Sequence, residues 1–510
     1  MKKNYLLWAA VLLLAACTKK DLSLQNTETD LQDLGRQPSI QFSETGSIDI
    51  GNTGAAEISA FDPLTDKLFV VNNSAINKID VIDLADPTLP VLLTSIPVAS
   101  YGGFVNSVAV SDGKLAAAIE ASDKVSPGKV AVFNTSTYQE LAVITVGSLP
   151  DMVTFSPDGR LILTANEGEP NQGYTIDPHG SVSIIDVQAG YAVVTLDFSS
   201  LASQQQELMA KGFRIYGPGA SFAEDIEPEY IAVAANSRTA WVSLQENNGI
   251  ARLDLVTKTI TDIFPLGFKD FNLASHAIDP SDQDGGIFFN SWPVKGIYMP
   301  DALAVSHHNG MPFIYSANEG DAREYTAYVE ARRVNSASVQ LDPTAFPNAA
   351  ALKTNAQLGR LNITSTLGDK DGDGDYDELY APGARSFSIW NGLTGQLIFD
   401  SKNELDLQAV AAGKYPDSRS DDKSTEPEGL AIGRVGNNTL LFVGLERADA
   451  IAVYNITNPV KPVFHQWLNA GIGPEGVLFV EAEESPTGRS LLIVSSEVDG
   501  IIKIYTTPAF

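Results

Sequence analysis

The sequence predicts an all-β protein, a seven-bladed β-propeller with long insertions on one face. Three observations lead there. The chain after its first residues reads as short runs, four to seven residues long, rich in β-branched side chains and bounded by turn signals. One unit of such runs recurs seven times, and uninterrupted copies start 45 to 49 residues apart: residue 57 to 106, 106 to 151, and 428 to 475. The copies also share acids, one at the start of the first strand and one at the end of the second. That period belongs to propeller blades of about four strands, whereas a sandwich or β-helix predicts no sevenfold carboxylate pattern.

The blades follow in order. Blade one runs from Glu57 through KLFVVN (67–72) to IDVID (79–83), and blade two through NSVAV (106–110), LAAAIE (115–120) and KVAVFN (129–134). Blade three has PDMVTFSPDG (150–159), LILTANE (161–167) and SVSIID (181–186); blade four has PEYIAV (228–233), AWVSLQE (240–246) and IARLD (250–254). Blade five, within 297–323, pairs PDALAV (300–305) with FIYSANE (313–319) across the turn HHNG (307–310), and RSFSIWN (385–391) is its displaced third strand. Blade six has PEGLAI (427–432), LLFVGLE (440–446) and IAVYN (451–455); blade seven has PEGVLF (474–479), LLIVSSE (491–497) and IIKIY (501–505). A closing strand from 39–42 or 47–50 completes the ring. No helical periodicity of comparable length competes.

In an antiparallel blade the innermost strand starts, and the second strand ends, on the same face. The long insertions leave from there: 168–180 in blade three, 198–225, 264–299, and the largest, 320–384, after Glu319. Insertions gathered on one face of a repeat fold mark the binding face.

The acids gather there too. Glu57, Asp151, Glu229, Asp301, Glu428 and Glu475 start the innermost strands and converge on the mouth of the central channel, with Asn106 in blade two. Glu120, Glu167, Glu246, Glu319, Glu446 and Glu497 end the second strands. Crowded carboxylates cannot all ionise cheaply without something positive between them. A hard cation such as Ca²⁺, protons, or the nearby Arg323, Arg385 and Arg447 would serve; alternatively, each acid accepts backbone bonds from the next blade and cements the ring. Asp301, Glu319, Asp321, Arg323, Glu167, Glu428, Glu446 and Arg447 are the candidates for catalysis, with blade five as the centre of any site. A sharper metal signal lies in the insertion 320–384, where Asp369, Asp371, Asp373, Asp375 and Asp377 alternate around Gly374. Such spacing wraps acidic oxygens round one Ca²⁺, although Tyr380 replaces the closing glutamate of an EF-hand and no paired helices flank it. A structural Ca²⁺ pinning the insertion is expected, against a solvated acidic loop.

Composition narrows the rest. A chain of 510 residues suggests about three domains of ordinary size, a prior that repeat folds break. Its 63 acidic against 34 basic residues give a net charge of −29, which excludes nucleic acid or an anionic membrane surface as partner. One cysteine precludes an internal disulfide and a Cys-based zinc site. It ends MKKNYLLWAAVLLLAAC (1–17), whose 12-residue apolar run is too short to span a membrane and reads as a secretory signal. LAAC resembles a bacterial lipobox, which predicts a lipoprotein signal over residues 1–17, a lipidated Cys17, a flexible tether over 18–38 and a monomeric propeller body over 39–510. Thr18 after the cysteine favours the outer membrane, periplasmic or surface-exposed, with the lipid as the only membrane contact. No G-x-S-x-G elbow or phosphate-cradling loop occurs, and the five histidines show no metal spacing. His179 and His276 fall on the acidic face; His307 and His308 fall on the opposite one.

LILTANEGEPNQGY, SWPVKGIYMPDALAV, YSANEGDAREY, LGRLNIT, GDKDGDGDYDELYAPGARSFSIWN, SDDKSTEPEGLAIG and GIGPEGVLFV resemble, in joint order, the choice-of-anchor I family, across nearly all of 47–504. The resemblance implies a secreted or anchored protein; related members are named mesenchyme-specific cell-surface glycoproteins. Some relatives carry the label alkaline phosphatase, and calcium-dependent phosphatases occur on propellers, which implies phosphate-ester hydrolysis at a calcium-lined mouth as the alternative to ligand binding. The ANEG runs are similar to the repeats of surface-layer propellers, which serve adhesion. The first reading is a lipid-anchored propeller binding an extracellular ligand or protein through a calcium-loaded acidic face.

Overall fold

A computed structural model describes residues 40–508. The signal, Cys17 and the tether lie outside these residues. Seven four-stranded antiparallel sheets account for the repeats. Their innermost strands are Ser59–Asp62, Val105–Ser111, Pro150–Phe155, Pro228–Val233, Pro300–His308, Pro427–Val435 and Pro474–Val480. Each packs against the next, and the last packs against the first, which closes the ring. The outermost strand of blade seven is Ser43–Asp49, paired antiparallel with Ile501–Thr506 so that Ile48 faces Ile502. It takes in most of the second segment the sequence offered for closure, 47–50, and runs back from it to Ser43.

The cores lie between blades. Each second strand is apolar on both sides because both faces of an inner sheet are covered: Leu161–Asn166 and Leu491–Ser496 are buried along their whole length. Phe69, Val71 and Ile79 of blade one pack with Leu115, Ala117 and Ala131 of blade two, and similar clusters join the later blades. Outermost strands are exposed or half-buried along most of their length, as in Val463–Asn469, where Leu468 alone is buried.

The insertions have their own structure. Phe268–Asp270, Lys295–Ile297 and Tyr380–Ala381 form a three-stranded sheet, so the loop before blade five and the loop inside it fold together. Phe271, Val294, Leu341, Leu358 and Leu379 give this layer a separate apolar core. One further insertion escapes the sequence reading: residues 401–426, between blades five and six, which carry the helix Glu404–Ala412.

Candidate functional site

Five innermost strands open with proline followed by an acid. The proline, lacking an N–H, suits a strand's first residue; Pro150, Pro228, Pro300, Pro427 and Pro474 each pair with the end of the second strand. Immediately afterwards the register shifts in all five blades, and blade two shifts between Val105 and Ser107. A bulge of this kind re-aims a side chain out of the ladder. Here it sits at Asp151, Glu229, Asp301, Glu428 and Glu475, and at Asn106 in blade two, all of which line the central channel, of about 390 Å³. Gly429 and Gly476 follow two of these acids, and each lets the acid's carbonyl in the next blade, Glu475 or Glu57, approach where a Cβ would collide.

The ring is electrostatically tense. Burial pushes Asp151 up to about 7 and, against a hydrogen bond from Asn73, Glu57 up to about 8. Burial first, then repulsion from neighbouring acids, holds Glu229, Asp301, Glu428 and Glu475 well above the usual carboxylate range. Glu229 Oε2 and Glu428 Oε2 are enclosed and accept no hydrogen bond. Backbone cementing therefore does not account for these two.

The second-strand acids fall into two groups. Glu319 and Glu446, with Glu428, Glu475 and Glu497, face a polar basin of about 670 Å³ that shares Glu428 and Glu475 with the channel. Burial takes Glu319 and Glu446 each up to about 7. On the other side of the mouth, Glu167 and Glu246 crowd Glu169 and Glu227; burial and this repulsion raise Glu167 well above its ordinary value, and burial takes Glu246 up to about 8. Glu120 stands apart, accepting from the Phe104 amide at 3.3 Å.

The main cation of the basin is Lys423, on the insertion between blades five and six. Its Nζ lies 2.7 Å from Glu319 Oε1, 2.8 Å from Asp321 Oδ1 and 2.9 Å from Glu426 Oε1. Arg447 bridges Glu426 and Glu446, each at 2.5 Å. The sequence offers arginines as one of three counter-charges for the repeated acids; Arg447 takes that place, and Arg323 and Arg385 pair elsewhere. Arg323 is buried between Asp225 at 2.6 Å and Glu227 at 3.0 Å, with Tyr216 stacked on it and on Arg214. Arg385 donates to the carbonyls of Asp279 and Asp422. These two hold insertions, since a loop carbonyl or acid is nearer than the ring. Lys423, Glu426 and Glu227 went unnoticed in the sequence. The signal was a repeated E-P-E, Glu227-Pro-Glu229 and Glu426-Pro-Glu428, in which the first acid takes a cation and the second faces the channel.

The aspartate loop does not close round one point. Oxygens of Asp369, Asp371 and Asp373 converge within 4.8 Å, while Asp375 and Asp377 converge instead with Asp342, from another part of the insertion. Asp369 also accepts the amides of Gly372 and Gly374. Both triads offer only hard carboxylate oxygens, the donor set of Ca²⁺. Among the described residues no histidine lines the channel or the basin: His179 pairs with Asp197, His276 Nδ1 meets the Asp270 carbonyl, and His307 and His308 end the strand Pro300–His308 on the other face.

The match to known sequences covers blades one to five, most of blade six and the insertions: residues 57–459 correspond to the choice-of-anchor I domain. The chain belongs to the choice-of-anchor I family. Among curated proteins, Gigasin-3a of Magallana gigas is 28% identical over 191 residues, 30% of this chain and 66% of that protein. The mesenchyme-specific cell surface glycoprotein of Strongylocentrotus purpuratus is 26% identical over 280 residues, 46% of this chain and 35% of its own. The chain thus spans less than two thirds of each. The solved structure of Kuenenia stuttgartiensis hydrazine synthase superposes with a TM-score of 0.51 at 12% identity, over 90% of this choice-of-anchor I chain and 97% of that one. At that identity the likeness concerns the fold alone.

Proposed function

We propose that this protein is a surface-held binding protein whose ligand or partner docks on the acidic face, at the shared opening of channel and basin. One observation carries the reading: bulged strand starts turn acids from successive blades into one mouth, where Glu229 and Glu428 keep enclosed, unpartnered oxygens. A fold that stores such unfavourable charge gains when a cation covers it. The location agrees with the family's anchored habit and with the cell-surface name of the sea-urchin relative, and a lipid on Cys17 would hold the body to the outer membrane. Among the described residues no helix is long and apolar enough to cross a membrane. Ca²⁺ on the aspartate loop would pin the insertion that forms one wall of the basin.

The phosphoesterase alternative has less support. Lys423 and Arg447, the cations best placed to hold a phosphate, are already engaged by Glu319, Asp321, Glu426 and Glu446, so an anion would need metal at the ring. The test is paired. The protein should retain a fluorescent oligolysine and lose it on Glu428→Gln, while p-nitrophenyl phosphate and bis-p-nitrophenyl phosphate stay uncleaved in millimolar Ca²⁺. Hydrolysis abolished by Asp301→Ala and Glu319→Ala with folding intact would replace binding by catalysis.

A further inference from the structure

Which cation the mouth suits follows from its width. Ca²⁺ held directly by protein oxygens at about 2.3–2.6 Å draws its donors to within about 5 Å of one another. Among the described residues, the acid triads whose oxygens come within 4.8 Å are Asp342–Asp375–Asp377 and Asp369–Asp371–Asp373, both on the blade-five insertion. The channel acids form no such triad, because each is carried by a different blade. Their charge is therefore spread over a ring rather than focused at a point.

The basin beside the ring contains a worked example of what bridges carboxylates so dispersed. The ammonium of Lys423 reaches Glu319 from blade five, Asp321 from the long insertion and Glu426 from the segment before blade six, at 2.7, 2.8 and 2.9 Å. Three N–H donors meet three acids from three elements. Next to this tripod, Glu428 and Glu229 present enclosed oxygens without a donor. Elsewhere the channel lining mixes small polar side chains such as Ser107 and Thr154 with the half-buried Ile58, Met152 and Val477, and these three give methylenes a surface to lie on.

We propose that the channel mouth binds a primary alkylammonium group, its N–H donors shared among Glu229, Asp301, Glu428 and Glu475 and its methylene chain lying against Ile58, Met152 and Val477. The proposal rests on the cation-binding reading above and narrows it to an organic amine: a lysine side chain of a partner protein or a free polyamine.

Calorimetric titration of the full chain decides it, with 1,5-diaminopentane and CaCl₂ as probes and with Glu229→Gln and Glu428→Gln as variants whose melting is checked in parallel. We expect saturable diamine binding, weakened about tenfold or more by either variant, and Ca²⁺ binding that neither variant changes. Ca²⁺ that displaces the diamine and is itself lost in Glu428→Gln would overturn the amine assignment while leaving the acidic-face reading intact. Absence of any variant-sensitive binding, for diamine and Ca²⁺ alike, would remove both. Spermidine and a lysine-containing tripeptide separate the sources: tighter spermidine points to a polyamine, tighter tripeptide to a protein partner, and each supports the ammonium chemistry.

Discussion

Lys423 Nζ and Glu319 Oε1 stand 2.7 Å apart, while the other oxygen of Glu319 accepts from Gln245 at 2.8 Å. The pair ties blade five to the segment that starts blade six, and blade four joins through Gln245. Both partners are only 11% exposed in their side chains. Removing the ammonium would strand Glu319 without a counter-charge and leave Glu426 to Arg447. Lys423→Met is therefore expected to destabilise by about 3 kcal/mol, since breaking one side of a buried pair leaves the other uncompensated. Adding Glu319→Gln should recover part of that loss, and urea unfolding of both variants would measure it.

The ring reverses the usual acid dependence. Burial raises Glu57 to about 8 and Asp151, Glu319 and Glu446 to about 7 from ordinary carboxylate values. Over that interval the folded state holds protons that the unfolded chain has lost, so stability contributed by these groups is present at low pH and falls as pH rises through the folded values. Thermal melting should thus be higher by several degrees at about pH 5.5 than at about pH 8. A bound cation should flatten the slope; a melting temperature that climbs steadily from pH 5.5 to 8 would contradict the buried ring.

The blades were legible because a strand's alternation and a 45–49-residue period survive in one sequence. So was the gathering of acids, since antiparallel pairing puts strand starts and second-strand ends on one face. What could not be read was which acid meets which cation. Lys423 sits in a stretch of irregular backbone, with left-handed φ at Ser424 and Glu426, and no periodicity announces its aim. Asp342 joins Asp375 and Asp377 only because the insertion folds back across its own core. Arg323 looked catalytic from its neighbours in sequence, yet its partners Asp225 and Glu227 come from the linker before blade four.

Arg323 is accordingly expected to be structural. Its guanidinium is enclosed with Asp225, Glu227 and the ring of Tyr216. Arg323→Met should cost about 3–5 kcal/mol by leaving two buried acids unpaired. Arg323→Lys should rescue poorly because one ammonium cannot reproduce the fork. A melt unchanged in Arg323→Met would return this residue to the candidate site.

Calcium, if it fills the aspartate loop, should act on the insertion and not on the ring. Saturation at about a hundredfold over the dissociation constant would add about 2.7 kcal/mol, lost on treatment with EDTA. Asp375→Asn and Asp342→Asn should abolish the gain together if their triad holds the ion, while Asp369→Asn should do so if the other triad does. Hydrogen exchange at Val339, Leu341 and Leu379 would localise the effect to the insertion core.

Ring closure depends on more than the strand Ser43–Asp49. Just before it, Phe42 is 3% exposed and meets Phe442 of blade six edge-on at 5.3 Å and Phe479 of blade seven at 6.5 Å. Its amide and carbonyl are both taken by the Gln466 side chain, at 2.9 and 2.8 Å. The N-terminal segment thus spans two blades before adding a strand to the second, and so guards the seam that the last blade would otherwise leave open. Phe42→Ala should cost about 3–5 kcal/mol as a buried aromatic truncation. Gln466→Ala should cost about 1–3 kcal/mol by orphaning the two backbone groups. Deleting residues 1–50 should go further, baring the edge of Ile501–Thr506 and producing concentration-dependent association, since an unpaired edge strand recruits another chain. Sedimentation of the deletion variant measures this, and a monomer with unchanged melting would show that the ring closes without it.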